Sequence, residues 1–80
     1  MEVLVVSKKV KSYLGEIIEG KGIMKSWIAK QTGATKSQVT RWCNNIDGAA
    51  ESTPSVYYIL KLEQLLDVQV SEMYEIIEEE

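Results

Sequence analysis

The sequence predicts an all-α domain of five short helices. Apolar residues recur at three- and four-residue spacing in five separate stretches, and glycines, capping hydroxyls and a single proline punctuate the chain between them. With 80 residues, nearly every apolar side chain has to serve one core, so a single domain over residues 1–80 is expected. Its helices are placed roughly at 7–20, 24–32, 36–43, 54–66 and 71–78.

In the first helix Val10, Leu14, Ile17 and Ile18 repeat at helical spacing beside Tyr13, with Ser7 as the cap and Gly20 and Gly22 as the stop. The preceding Val3-Leu4-Val5-Val6 suits either an extension of that helix or a short strand. Ile23, Trp27, Ile28 and Gln31, with Ala29 between, form a second amphipathic helix that ends at Gly33. Thr35-Lys36-Ser37-Gln38 then has the form of a capping box, in which the Thr35 hydroxyl and the Gln38 side chain satisfy each other's amides. The third helix that it opens has only Val39 and Trp42 as an apolar stripe.

Residues 44–52, with Asn44-Asn45 and Asp47-Gly48, read as a polar loop. Thr53-Pro54 places a capping hydroxyl before a proline at the first helical position, ahead of the fourth helix with Val56, Ile59, Leu60, Leu62, Leu65 and Leu66. After the connector Asp67-Val68-Gln69-Val70, Ser71 caps a fifth helix carrying Met73, Tyr74, Ile76 and Ile77, and Glu78-Glu79-Glu80 form a solvated end.

Composition excludes whole classes of function. There is no histidine, so the commonest general base and neutral metal ligand are missing, and the single Cys43 closes no internal disulfide and builds no zinc site. No catalytic residue, metal or cofactor is expected, and Cys43 reads as a small buried hydrophobe rather than a reactive thiol. The longest apolar run, Val3–Val6, falls far short of the roughly 18 residues of a membrane span, which points to the cytoplasm and away from a membrane.

Net charge alone argues against a polyanionic partner, since 9 basic residues face 12 acidic ones. Its distribution argues the other way. Residues 1–46 hold eight basic and three acidic groups, whereas residues 47–80 hold one basic and nine acidic. Between Lys21 and Ile46 five basic residues occur and no acidic one, so this stretch is locally positive.

Two short helices joined by a glycine-containing turn, the second with a narrow apolar stripe and a polar remainder, describe a helix-turn-helix. Ala29 falls where the helices cross, Gly33 in the turn, and Val39 and Trp42 where the second helix packs inward. The run Ile28-Ala29-Lys30-Gln31-Thr32-Gly33-Ala34-Thr35-Lys36-Ser37-Gln38-Val39-Thr40-Arg41-Trp42 resembles the Cro/C1-type (XRE-like) helix-turn-helix family of bacterial and phage transcription regulators. The resemblance extends through Pro54-Ser55-Val56, Ile59-Leu60-Lys61-Leu62 and Asp67 to Tyr74, about residues 7–75 in all. The chain departs from the family at Met24 and Lys25, where a capping threonine or serine and a glutamine usually stand, and in a longer stretch between Trp42 and Pro54.

This resemblance implies a five-helix, lambda-repressor-like DNA-binding domain with the helix-turn-helix at helices 2 and 3. It also implies a sequence-specific regulator of double-stranded DNA, a small phage or mobile-element repressor in a bacterial or phage-infected cell. By position, Lys36, Ser37, Gln38 and Arg41 would contact bases, Thr35 and Thr40 would lie beside them, and Lys25, Lys30, Asn44 and Asn45 would meet phosphates. One such domain makes too few contacts for genome-scale discrimination, so a homodimer is expected, through Val3–Val6 or through Met73, Ile76 and Ile77. The alternative is a protein-interaction module, an antirepressor or modulator whose acidic half meets a regulatory protein.

Overall fold

A computed structural model of the chain describes residues 9–77. Strand β1 (Lys9–Ser12) leads into α1 (Leu14–Gly20), α2 (Lys25–Thr32) and α3 (Lys36–Cys43). A hairpin of β2 (Asn45–Ile46) and β3 (Ala49–Ala50) follows, then α4 (Val56–Leu66), α5 (Val70–Met73) and β4 (Tyr74–Ile77). The expected positions of Val3–Val6, of the Ser7 cap and of Glu78–Glu80 lie outside the described residues.

The all-α expectation is overturned: the fold is a small mixed α/β domain with five helices and two two-stranded antiparallel sheets. One sheet joins the ends of the described chain, β1 pairing with β4 in the register Lys9↔Ile77 to Ser12↔Tyr74. Val10 and Leu14 fit a helical period, but Val10 lies opposite Ile76, and β4 reads Tyr-Glu-Ile-Ile, rich in strand-forming side chains. The helix expected at 7–20 therefore begins only at Leu14, and that expected at 71–78 shrinks to a single turn. Gln69 stands at the cap of this turn in place of Ser71, its amide donating to Glu72 Oε2 at 2.9 Å. The Val70 amide donates to Glu63 Oε2 of α4 at 2.8 Å.

The polar loop expected at 44–52 is a hairpin. Its turn residues Asp47 and Gly48 have φ of 53° and 83°, the positive values that a two-residue turn between right-twisted strands requires and that Asp-Gly supplies at low cost. Asn44 O accepts from the Glu51 amide at 2.9 Å, closing the hairpin against the end of α3. The fourth helix starts at Val56 with Ser55 as its cap, two residues beyond the expected start, and Pro54 is buried ahead of it.

The pair of helices α2 and α3 follows the local signals closely. Gly33, at φ 85°, ends α2 in a left-handed cap that returns its amide to Ala29 O, and Gly33-Ala34-Thr35 make the turn into α3. Thr35 Oγ1 accepts from the Gln38 amide at 3.1 Å, and Gln38 Oε1 accepts from the Thr35 amide at 2.9 Å. Met24 stands at the cap of α2 with no side-chain hydrogen bond, as its apolar side chain dictates.

The core gathers Leu14, Ile18, Ile28, Ala29, Val39, Trp42, Leu62, Leu66 and Met73. Trp42 stacks obliquely on Tyr58 of α4, ring centroids 5.0 Å apart. Met73, expected at a dimer surface, is instead fully buried, whereas Ile76 stays 73% exposed. Replacing Gly33 by alanine forces a side chain into the left-handed region and should cost about 1–2 kcal/mol, read as a lower urea midpoint at unchanged slope.

Candidate nucleic-acid interface

The polar face of α3 follows from helix geometry. At about 100° per residue, Lys36, Ser37, Thr40, Arg41 and Asn44 share one arc, while Val39 and Trp42 point to the opposite side and are buried. Together with Glu51 of the hairpin, these five line an open concavity of about 630 Å³. Of the expected base-contacting residues, Lys36, Ser37 and Arg41 are thus brought together, and Thr40 lies among them. Gln38 falls off this arc, with its side-chain oxygen engaged in the capping box. Thr35 is exposed at the start of the helix, its hydroxyl oxygen accepting from Gln38.

The expected phosphate contacts scatter. Lys25 lines a second concavity on the far side of Asn44, together with Glu16, Glu19, Cys43 and Asn45. Lys30 is exposed in the last turn of α2. The Asn45 side chain is committed to the fold: its Oδ1 accepts from the Ser12 amide at 2.8 Å and its Nδ2 donates to Ser12 O at 2.9 Å, so that it pairs with β1 as another backbone would. Asn44 uses both backbone groups, its amide donating to Thr40 O and its carbonyl accepting from Glu51, which leaves its side chain for the concavity. Glu51 is the member that sequence reasoning missed. Asp47-Gly48 is a hairpin signal, and a hairpin returns Glu51 to the end of α3, but the short flanking segments hid it.

The terminal sheet holds the C-terminal end of α3. A helix leaves its last carbonyls without internal partners, and here Trp42 O accepts from Ser12 Oγ at 2.6 Å and from Tyr74 Oη at 3.1 Å. The Tyr13 amide donates to Met73 O at 2.7 Å, which ties the two ends of the described chain at the same place. Burial drives the Tyr74 phenol well above its ordinary value of 10.0, the nearby Ser12 hydroxyl opposing and Cys43 reinforcing the shift. Burial likewise raises the Cys43 thiol, with Lys25 partly offsetting it. At neutral pH the thiol is protonated, which suits a packing role.

Among the described residues, no group of three or more histidine, cysteine, aspartate or glutamate side chains is arranged to hold a metal ion. No helix among them is long and apolar enough to cross a membrane. Comparison with protein-family models, curated proteins and solved structures returned no match.

Because the folded state holds the Tyr74 proton more tightly than the unfolded chain does, this contribution is complete below pH 10.0 and is lost as the pH climbs above it. Urea titrations at about pH 9, 10 and 11 should show stability falling in this range, and Tyr74→Phe should make the fall shallower.

Proposed function

We propose that the chain is a sequence-specific regulator of transcription that binds double-stranded DNA with α3 in the major groove. The observation that carries this reading is the polar face of α3. Lys36, Ser37, Thr40, Arg41 and Asn44 line one open concavity on the second helix of a helix-turn-helix, within a stretch that has no acidic residue from Lys21 to Ile46. Arg41 is exposed, and a guanidinium on such a face pairs bidentately with guanine O6 and N7. Lys36 and Ser37 sit at the N-terminal end of α3, the part of a recognition helix that approaches base edges.

Lys25 and Lys30 on α2 and Thr35 at the turn are assigned to the sugar-phosphate backbone. Asn45 is withdrawn from this set because its side chain already serves Ser12. The resemblance of residues 28–42 to Cro/C1-type (XRE-like) regulators supports the same reading, and with it a small repressor of phage or mobile-element origin, working in the cytoplasm of a bacterium or an infected host. A homodimer doubles the contact set to what genome-scale discrimination demands. No catalytic residue and no cofactor enter this function.

One observation favours a second reading, a protein-interaction module that modulates another regulator. Val56, Tyr57 and Leu60 leave an exposed apolar stripe on α4, in the half of the chain that holds nine acidic residues and one basic.

Fluorescence titration against the DNA flanking the gene separates the two. The DNA reading expects tight binding that weakens steeply with salt. Arg41→Ala should lose about 1–3 kcal/mol of discrimination at one base pair, while Lys25→Ala should weaken binding to all sequences alike. Binding that neither substitution alters sinks the assignment of this face. A stoichiometric protein partner recovered from the host, with no DNA binding even at low salt, decides for the interaction module.

A further inference from the structure

The concavity on α3 contains one residue that an electrostatic account of DNA binding would not place there. Among the described residues lining it, Glu51 is the only acidic group, and it shares that lining with Lys36 and Arg41. A carboxylate facing phosphates is repelled by them, so at this position it weakens binding to arbitrary sequence. Its placement is nevertheless held from two sides. The Glu51 amide donates to Asn44 O at the end of α3, at 2.9 Å. The hairpin that carries it is clasped to β1 by the paired hydrogen bonds between Asn45 and the Ser12 backbone. A backbone already held in this way needs no further ordering when the side chain that it carries reaches a base.

We infer that Glu51 is a specificity-determining residue that reads cytosine beside the guanine read by Arg41, an inference that rests on the DNA-binding reading above. A carboxylate only accepts hydrogen bonds, whereas guanine and thymine offer only acceptors, or a methyl group, in the major groove. Donors are left on cytosine N4 and adenine N6. On adenine the donor stands beside the N7 acceptor, which repels a carboxylate, while cytosine N4 has no such neighbour, so cytosine is favoured. Arg41, which only donates, has the opposite preference and takes guanine. Lining one concavity, the two side chains match the two strands of G·C pairs, and the cost of the carboxylate near phosphates falls equally on every wrong sequence.

The test is selection from a randomised duplex library with the full chain, its Glu51→Ala variant and its Glu51→Gln variant, each first checked for unchanged helical circular dichroism. The wild type should enrich a site in which one position prefers cytosine over thymine by about fivefold or more. Glu51→Ala should lose that preference while binding random duplex more tightly. Glu51→Gln should move the preference toward adenine, whose N6 and N7 fit an amide. If the wild type enriches a site and both variants enrich the same site with the same cytosine preference, Glu51 reads no base and the inference fails, while the DNA-binding reading stands. If the wild type enriches no sequence at low salt, the DNA-binding reading fails and takes the inference with it.

Discussion

Trp42 is the joint on which the rest of the molecule depends. Its indole, 2% exposed, packs against Tyr58 and belongs to the core shared by all five helices. Its carbonyl, one of those that the end of a helix leaves unpaired, takes hydrogen bonds from Ser12 of β1 and Tyr74 of β4. One residue therefore fixes the inner face of α3 through apolar burial and its C-terminal end through polar contacts with the terminal sheet. A large aromatic removed from such a place costs about 3–5 kcal/mol, a major part of the stability a domain of this size has. Burial raises the Tyr74 phenol above its ordinary value of 10.0, so its hydrogen bond to the Trp42 carbonyl persists into alkaline solution.

With its inner side anchored, α3 turns a wholly polar arc outward, and the concavity there derives its shape from a neighbour as much as from the helix. The β2–β3 hairpin returns along the end of α3 and adds the single carboxylate of Glu51 to a lining that includes Lys36 and Arg41. Asn45 secures the hairpin to β1 by acting as a piece of strand backbone. The terminal sheet, the hairpin and the polar face of α3 thus form one braced unit, in which Ser12, Asn45, Tyr74 and the Trp42 carbonyl are occupied in holding its shape. Along the sequence the excess of acid falls after Ile46, beyond the stretch that contains α2 and α3, and the hairpin brings Glu51 back to α3.

What could be read from residues alone was what depends on near neighbours. Gly33, the Thr35–Gln38 capping box, the burial of Ala29, Val39 and Trp42 and the end of α4 at Asp67 are written within a turn or two of chain, because helical hydrogen bonds and caps join residues three to five apart. The clustering of Lys36, Ser37 and Arg41 was legible for the same reason: positions on one helix inherit their common face from its period. Gln38 shows the limit, since its spacing suits a capping box and base contact alike, and only the atoms show that the capping box is made.

The sequence by itself determined α2 and α3, the ends of α1 and α4, the turn between α2 and α3, the polar arc of α3 and the opposed charge of the two halves. Tertiary structure alone decided that Lys9–Ser12 and Tyr74–Ile77 are strands, that residues 44–51 fold back as a hairpin, that Asn45 braces this hairpin against β1, and that Glu51 joins the concavity on α3. The physical reason is the range of the interactions. A helix closes its hydrogen bonds within its own segment, whereas a four-residue strand has none until its partner arrives from the other end of the chain, and over so short a stretch the two periods look alike.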